Sequence, residues 1–408
     1  MTTGIQAINA YVGRTSLDVG LLFRTRDLDM GRFGNLLMAE KSVNLPCEDA
    51  ISNAVNAAKP LVDALGPEER EQIELLVVGT ESGVDYAKPI STYVHEYLGL
   101  SPRCRSFEVK HACYGGTAAL RTALGIIGTA GHPGRRALVI AADAAGVVDR
   151  NTYWEPSQGA GAVAMLVGAG PGVFVPDQGA YGLHTAEVMD TYRPEASFEA
   201  GDSDLSLMSY LEALQKSWAM YADRVEGADI RTTFAHLVFH SPFAGMVKGA
   251  HRTLLRRLAR LPEDEITADF ERRLADSLRF CSTVGNTYSA ALYLGLCSLL
   301  EHGDFRSAQR IGLFSYGSGC ASEFYSGVVP AGAGDRTFGV RDAIAARVPL
   351  TIPEYELVSD LSVRRMGGVK DWADSTAEYA DVYARALDGR GLLVLDRIDA
   401  YHRKYRWS

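Results

Sequence analysis

Short runs of consecutive apolar residues recur along this chain, separated by segments whose apolar residues fall at helical spacing. Unbroken apolar runs of about four to eight residues are typical of strands buried on both faces of a sheet. Runs of this kind, some of them interrupted by a polar residue, predict strands over 5–12, 73–78, 137–142, 161–167, 235–239, 311–314 and 391–395. Helical spacing predicts helices over 48–65, 118–127 and 287–300. Alternating strands and helices of this kind indicate an α/β protein.

A turn sequence at 169–172, Ala-Gly-Pro-Gly, interrupts the middle of the chain, and strand-like and helix-like segments resume after it. No letter-by-letter repeat links the two parts, although the order of their elements is similar. We therefore predict two halves, residues 1–168 and residues 169–408.

The composition is that of an ordinary globular protein, with 408 residues of which 47% are hydrophobic and 22% charged. The 41 basic and 50 acidic residues give a net charge of −9, which argues against general nucleic-acid binding. Six scattered cysteines without a C-x-x-C pair predict neither a metal site nor a disulfide framework. The first residues lack a signal pattern, and no apolar run is long enough to span a bilayer. We expect a cytoplasmic protein with no membrane partner.

Reactive polar side chains follow the ends of predicted strands at Glu81, Cys113, Asp143 and His240. In open α/β sheets, functional sites gather at the carboxyl ends of the strands, so these four side chains could converge. Asp143 could equally be a structural cap.

Cys113 lies in a tight turn between a strand-like segment and the predicted helix over 118–127. A thiol near helix N–H groups is expected to favour the nucleophilic thiolate, although a small buried cysteine is the commoner case. Glu81 follows a buried strand, and burial would raise the pKa of its carboxyl group and suit it to general-base catalysis. The alternative is a solvated carboxylate or a helix cap.

His240 and His236 compete as a catalytic histidine, and either could instead be a core residue. We favour His240 because Ser241 and Pro242 break the strand directly after it. The glycine turn at 317–319 could present backbone N–H groups as an oxyanion hole or be a plain turn. Asn286 could cap the following helix or bind a substrate carbonyl.

Six segments carry a specific pattern in a fixed order: Thr80-Glu81-Ser82, Glu108-Val109-Lys110-His111-Ala112-Cys113-Tyr114, Glu155-Pro156-Ser157-Gln158-Gly159-Ala160-Gly161-Ala162, Phe239-His240-Ser241-Pro242-Phe243, Gly285-Asn286-Thr287-Tyr288-Ser289 and Ser315-Tyr316-Gly317-Ser318-Gly319. Together they resemble hydroxymethylglutaryl-CoA synthase, a member of the thiolase superfamily. The resemblance implies the thiolase fold, five layers αβαβα with two pseudo-repeated halves, and a homodimer.

The resemblance also implies an acyltransferase mechanism without a bound cofactor or metal. Cys113 would accept an acetyl group, Glu81 would remove a methyl proton, and His240 would bind and protonate the β-keto oxygen of the acceptor. Water would then release the product from Cys113. Further substrate-binding or supporting positions implied are Asn286, Tyr316, Gly317, Ser318, Asp143, Asp190 and Lys248.

The sequence departs from the family pattern in two places. Gly245 stands where synthases of primary metabolism usually have a lysine for the CoA phosphates, and Gly146 and Val147 occupy the region of a usual tyrosine. The sequence of residues 240–251 resembles that of the polyketide β-branching branch of the family. That branch takes its phosphopantetheine thioesters, acetyl donor and β-ketoacyl acceptor, from acyl carrier proteins.

A basic cluster fits the same interpretation: Arg252, Arg256, Arg257 and Arg260, on a helix predicted over 251–260. Carrier proteins present an acidic helix, so these arginines are candidates for steering its docking. The alternative is a solvated amphipathic face.

Three other functions compete with this hypothesis. A primary-metabolism synthase would use free CoA thioesters. Another ketoacyl synthase or a thiolase is suggested by Cys320 beside the glycine turn, but Glu81 argues against both because those enzymes use other bases. A non-catalytic carrier-binding relative is disfavoured by the intact Glu81, Cys113 and His240 set.

Overall fold

The computed structural model describes residues 2–129, 134–145, 150–170 and 172–408, so Gly146 and Val147 lie outside the described residues. The strands are β1 Thr3–Tyr11, β2 Thr15–Asp18, β3 Glu40–Val43, β4 Ile73–Gly79, β5 Arg105–Val109, β6 Arg136–Asp143, β7 Gly161–Ala169, β8 Val175–Thr185, β9 Thr191–Glu195, β10 Phe198–Gly201, β11 His236–Phe239, β12 Gln309–Gly317, β13 Ala321–Val329, β14 Val348–Pro349, β15 Trp372–Ala373, β16 Leu393–Asp399 and β17 His402–Trp407. The α-helices are α1 Val19–Thr25, α2 Met30–Leu36, α3 Ala50–Asp63, α4 Pro67–Glu71, α5 Ser91–Tyr97, α6 Gly115–Thr129, α7 Ser203–Arg224, α8 Ala244–Leu258, α9 Glu263–Arg273, α10 Ala275–Leu278, α11 Cys281–Val284, α12 Ala291–His302, α13 Val340–Ala345, α14 Ile352–Val363 and α15 Ala380–Ala386. Within the described residues, no helix is both long and apolar enough to cross a membrane.

The predicted strands are all present, as β1, β4, β6, β7, β11, β12 and β16. The helix predicted over 287–300 begins as a 3₁₀ turn, Tyr288–Ala290, and continues as α12. The helix predicted over 251–260 is the second part of α8, which ends at Leu258. Arg260 therefore lies beyond the helix, with a left-handed φ of 52°.

Two sheets share one pairing pattern. In the described residues the first sheet has the order β1-β7-β6-β4-β5, and the second has the order β8-β13-β12-β11. In each sheet the first three strands of that order pair antiparallel, and the third pairs parallel with the fourth. Glu81 after β4 and His240 after β11 therefore occupy corresponding places in the two sheets.

The apolar side chains divide into layers because successive residues of a buried strand point to opposite faces. Along β6, Val139 and Ala141 join the core between the two sheets, and Leu138 and Ile140 join a separate outer core. Helices α6 and α12 fill the layer between the sheets. Helix α3 covers the outer face of the first sheet, and α7 and α8 cover the outer face of the second. The result is a five-layered αβαβα arrangement.

Candidate active site

The end of β4 and the start of α6 approach each other unusually closely. A Cβ atom on Gly79 would lie 2.4 Å from the backbone oxygen of Gly115, so only glycine fits at the end of β4. The N–H group of Thr80 donates to the oxygen of Val109 at 3.0 Å. These contacts hold the Glu81 loop against the turn that carries Cys113.

Glu81 and Cys113 are in direct contact. The Cys113 thiol donates to Oε2 of Glu81 across 3.7 Å. Burial raises the pKa of Cys113 well above its usual value, and the carboxylates of Glu81, Asp143 and Glu199 raise it further. The expectation of a thiolate is therefore wrong for the resting protein, because burial and nearby negative charge outweigh the helix terminus.

The Glu81 carboxyl group has the properties of a general base. Burial raises its pKa to about 8, and Asp143 and Glu199 add to the increase, whereas the guanidinium of Arg193 opposes it. A carboxylate of this pKa is a stronger base than an exposed one and still ionises near neutral pH.

Asp143 connects the Glu81 loop to the segment before α12. Its fully buried carboxylate accepts hydrogen bonds from Thr80 Oγ1, the Glu81 backbone N–H and Ser82 Oγ, each at 2.9 Å. It also accepts from the backbone N–H of Ser289 at 3.0 Å and from Ser289 Oγ at 2.5 Å. Because protein donors surround this carboxylate, Asp143 positions its neighbours and has little room to contact a substrate directly.

Three side chains around Glu81 were not predicted from the sequence: Arg193, Glu199 and Tyr288. Arg193 lies in β9 and Glu199 in the adjoining β10, a hairpin for which the sequence analysis makes no prediction. Tyr288 follows Asn286 in a segment that the resemblance did mark, so a signal for it was present.

His240 is buried, with 1% of its surface exposed, directly after β11. Its backbone N–H donates to Phe314 at 2.8 Å, and its backbone oxygen accepts the Tyr210 hydroxyl at 2.7 Å. Nδ1 is buried without a hydrogen-bond partner among the described residues. Burial lowers the pKa of His240 to about 3, so the resting imidazole is neutral and can donate an N–H hydrogen bond. His236 begins β11 at the opposite end of the strand, beside Phe305.

Asp190 holds the glycine turn after β12. It is fully buried and accepts from the Tyr316 hydroxyl at 2.7 Å and from the Gly319 backbone N–H at 2.9 Å. The Gly319 amide is therefore engaged although Gly319 lies at the surface, whereas Ser318 is half-buried. Gly317 packs directly against the backbone of Tyr114, next to Cys113.

A cavity of about 410 Å³ runs past the loop after His240 and reaches Asn286, Tyr288 and Glu199. Asn286 Oδ1 accepts the Tyr288 backbone N–H at 2.8 Å, so this side chain both orders the following turn and lines the cavity. The remaining wall is mostly apolar or aromatic and includes Phe23, Leu36, Tyr153, Trp154, Phe243 and Met246. A cavity that combines apolar walls with several polar groups suits an acyl arm.

Lys248 is not among the described residues that line this cavity. Its ammonium lies 5.2 Å from the ring centre of Phe270, in a second cavity shared with Arg252 and Glu263. Lys248 therefore lines a different cavity from Asn286, and its substrate-binding role stays a prediction.

Gly245 cannot carry a side chain in this packing. A Cβ atom there would lie 1.7 Å from the backbone oxygen of Asn35 in α2. Helix α2 thus occupies the place in which the lysine of the family pattern would begin.

The arginines of the basic cluster are partly paired. Arg256 lies 2.5 Å from Glu263, and Arg252 lies 3.9 Å from the same carboxylate. Arg257 donates to Gln215. The side chains of Arg252 and Arg256 remain more than half exposed, so the cluster keeps a positive surface that Glu263 weakens. No group of three described His, Cys, Asp or Glu side chains anywhere in the chain is arranged to hold a metal ion.

Comparison with protein families identifies two matching profiles. Residues 1–171 match the family described as the hydroxymethylglutaryl-coenzyme A synthase N terminal. Residues 174–265 and 250–365 match the corresponding C-terminal family.

Similar proteins extend along the whole chain. A Bacillus subtilis (strain 168) protein named polyketide biosynthesis 3-hydroxy-3-methylglutaryl-ACP synthase PksG is 46% identical over 418 residues, covering 100% of this chain and 99% of its own. The hydroxymethylglutaryl-CoA synthase of Enterococcus faecalis is 37% identical and covers 81% of this chain and 84% of its own. The curacin biosynthetic pathway HMG synthase, solved in complex with acetyl donor-ACP, superposes with a TM-score of 0.96 at 46% identity over 100% of both chains.

Proposed function

This chain belongs to the hydroxymethylglutaryl-CoA synthase family of acyltransferases, and we propose that it condenses an acetyl group with a β-ketoacyl thioester held on an acyl carrier protein. The observation that carries the proposal is the contact between the Cys113 thiol and the Glu81 carboxyl group, whose pKa is raised to about 8. Such a pair suits a nucleophile that holds an acetyl group and a base that acts on it.

The first step transfers the acetyl group. The Cys113 sulfur attacks the thioester carbonyl of the donor while its proton leaves to the Glu81 carboxylate, 3.7 Å away. A new thioester forms on Cys113, and the phosphopantetheine thiol of the donor departs after taking up the proton. The high pKa of the resting thiol makes a nearby proton acceptor necessary.

The second step forms the carbon–carbon bond. Glu81 removes a proton from the methyl group on Cys113, and the resulting enolate carbon attacks the β-ketone of the acceptor. His240 hydrogen-bonds the ketone oxygen and gives its N–H proton to the forming alkoxide while the imidazole takes up a proton in exchange. Glu81 releases the methyl proton, so the step neither gains nor loses a proton overall. The Ser318 turn and Asn286 stabilise the two oxygens on which charge develops. Water finally cleaves the Cys113 thioester, releasing a carboxylate product and regenerating the thiol.

Carrier-bound substrates are favoured over free CoA for a steric reason. The contact between Gly245 and Asn35 leaves no room for a lysine at a position where the family pattern has a CoA phosphate contact. The name of the similar Bacillus subtilis enzyme refers to a carrier protein, and the similar curacin pathway enzyme was solved in complex with one. Both observations support polyketide β-branching as the setting of the reaction.

We also propose a homodimer in the cytoplasm. Strand β5 is an edge of its sheet, and in the described residues it pairs with β4 only. Half-exposed Phe107 and Val109 lie along it, so a second copy could continue the sheet. All six cysteines are free thiols, which fits a reducing compartment.

A comparison of acceptors tests this function. The purified protein is supplied with acetyl-carrier protein and either acetoacetyl-carrier protein or free acetoacetyl-CoA, and product formation is followed by mass spectrometry. We expect kcat/KM for the carrier-bound acceptor to be at least about tenfold higher, equivalent to about 1.4 kcal/mol of transition-state binding. Equal efficiency with the two acceptors would contradict carrier specificity and favour the primary-metabolism alternative.

A further inference from the structure

The guanidinium of Arg193 lies between two carboxylates and is closer to one than to the other. Its Nη2 atom is 2.6 Å from Oε2 of Glu199 and 3.6 Å from Oε1 of Glu81. Its Nη1 atom donates to Ser82 Oγ at 3.3 Å. Only 11% of the Arg193 side chain, 8% of Glu199 and 16% of Glu81 are exposed. In such a site charges are poorly screened by solvent and act strongly on one another.

Tyr288 completes the arrangement on the cavity side. Its hydroxyl donates to Oε2 of Glu199 at 3.2 Å, and its ring lies 5.3 Å from the Arg193 guanidinium. Glu199 therefore receives both close contacts. Arg193 is held where it acts on Glu81 through its charge and does not donate a short hydrogen bond to it.

The function of Glu81 requires a balance between these charges. A cation in full contact would hold the carboxylate ionised but make it a weak base, whereas a buried carboxyl with no cation would stay protonated. The ionisable or charged groups that face Glu81 are Cys113, Asp143, Arg193, Glu199 and Tyr288. Arg193 is the cation of this set, and Glu199 determines how close it comes.

We propose that Arg193 and Glu199 form a positioning pair that sets the basicity of Glu81, with Glu199 drawing the guanidinium away from the base. The inference rests on the proposed function, in which Glu81 removes the methyl proton. Neither residue is a catalytic group in this account, because each acts through Glu81.

Two substitutions should act in opposite directions. In Arg193→Gln the opposing cation is lost, so the pKa of Glu81 should rise and the acidic limb of the kcat/KM profile should move about 1–3 pH units higher. In Glu199→Gln a negative charge is lost and Arg193 is free to approach Glu81, so the same limb should move to lower pH. The reduced basicity should also lower kcat on the alkaline plateau of Glu199→Gln.

The test measures kcat/KM against pH for condensation with carrier-bound substrates, in the intact protein and in both variants. Arg310→Gln is the control, since it removes a guanidinium paired with Asp177 at 2.8 Å elsewhere in the same half. Arg193→Lys should return the profile toward that of the unmodified protein. A general loss of structure would lower activity at every pH without moving the limb.

Shifts of opposite sign support the positioning pair, and shifts of the same sign or no shift overturn it. Acetylation of Cys113 by acetyl-carrier protein is measured in parallel by intact mass. If the unmodified protein acquires no acetyl group, the proposed function itself fails. If the unmodified protein is acetylated but the acidic limbs of the two variants do not shift in opposite directions, only the inference about Arg193 and Glu199 fails. Should Arg193→Gln not fold, the downward shift of Glu199→Gln alone decides the outcome.

Discussion

At the residue scale, burial governs the chemistry of this site more than any specific pairing does. It raises the pKa of both Glu81 and Cys113 and lowers that of His240. A sequence can place a reactive residue after a strand, but it cannot show how completely the folded chain removes water from it. This is why the thiolate expected at Cys113 is replaced by a thiol that donates a hydrogen bond to Glu81.

The raised pKa of Glu81 has a consequence for stability. The folded pKa, about 8, lies above the ordinary value of 4.5, so folding retains a proton that the unfolded chain loses between these values. The contribution of Glu81 therefore becomes more unfavourable as pH rises from about 4.5 to 8. Glu81→Gln should raise the free energy of unfolding at pH 9 relative to pH 5 by more than about 1 kcal/mol, compared with the unmodified protein.

Urea unfolding at pH 5 and pH 9 measures this difference. Glu74→Gln is the control, since Glu74 is a partly exposed carboxylate paired with Arg135. A stability difference for Glu81→Gln that does not depend on pH would show that Glu81 is not a buried acid.

The surroundings of Cys320 bear on whether it could act as the second cysteine of a thiolase. It is buried beside α7 in a different cavity from Asn286, and its backbone N–H donates to Ala186 at 2.6 Å. Cys320→Ala should keep kcat within about twofold, because a small buried residue is exchanged for another. Activity is measured with carrier-bound substrates, with Cys113→Ala as the inactive comparison. Complete loss of activity in Cys320→Ala would favour the thiolase alternative.

At the element scale, the strands were predictable and the long helix over the second sheet was not. Most predicted strands are largely apolar runs, of which 137–142 is unbroken, and burial on both faces produces that pattern. Helix α7 is amphipathic but rich in polar and charged residues, and the β9–β10 hairpin before it has no buried run. The hairpin supplies Arg193 and Glu199, so this part of the site depends on contacts between residues far apart in the chain.

Helix α8 offers a matched pair of glycines. A Cβ on Gly245 would meet the Asn35 oxygen at 1.7 Å, whereas nothing lies within 4 Å of one on Gly249. Gly245→Ala should therefore destabilise the protein by about 1–3 kcal/mol, the usual cost of overpacking. Gly249→Ala should be neutral or stabilising by up to about 1 kcal/mol, because alanine is the better helix former.

Thermal unfolding of the two variants compares these costs directly. Equal effects at the two positions would show that α2 does not press on α8 at Gly245, and would remove the steric argument against a lysine there.

At the scale of the whole molecule, the thiolase fold implied by the resemblance is confirmed, with five layers and two pseudo-repeated halves. The division at 168/169 stays a prediction. The repeated strand order gives Glu81 and His240 corresponding positions, because each follows the end of the same strand of its own sheet. A sequence without a visible repeat could suggest this arrangement only through the family resemblance.

Variants of the basic cluster test whether a carrier protein docks on this part of the molecular surface. Reversing both Arg256 and Arg257 to glutamate should raise KM for carrier-bound substrate several-fold with little change in kcat, and the effect should shrink at high salt. The double variant Arg306→Glu with Arg397→Glu makes the same change in charge at exposed ion pairs elsewhere. If the two double variants raise KM equally, the effect is one of net charge and the cluster is not a docking surface.

The most direct test of the central claim is the mass of the intact protein after incubation with acetyl-carrier protein. The account predicts that one acetyl group is added to Cys113 and that Cys113→Ala acquires none. The acetyl group should be lost from Cys113 when the β-ketoacyl-carrier acceptor is added, because condensation and hydrolysis then release the product. An unmodified protein, or transfer of the β-ketoacyl chain to Cys113 in place of the acetyl group, would contradict it.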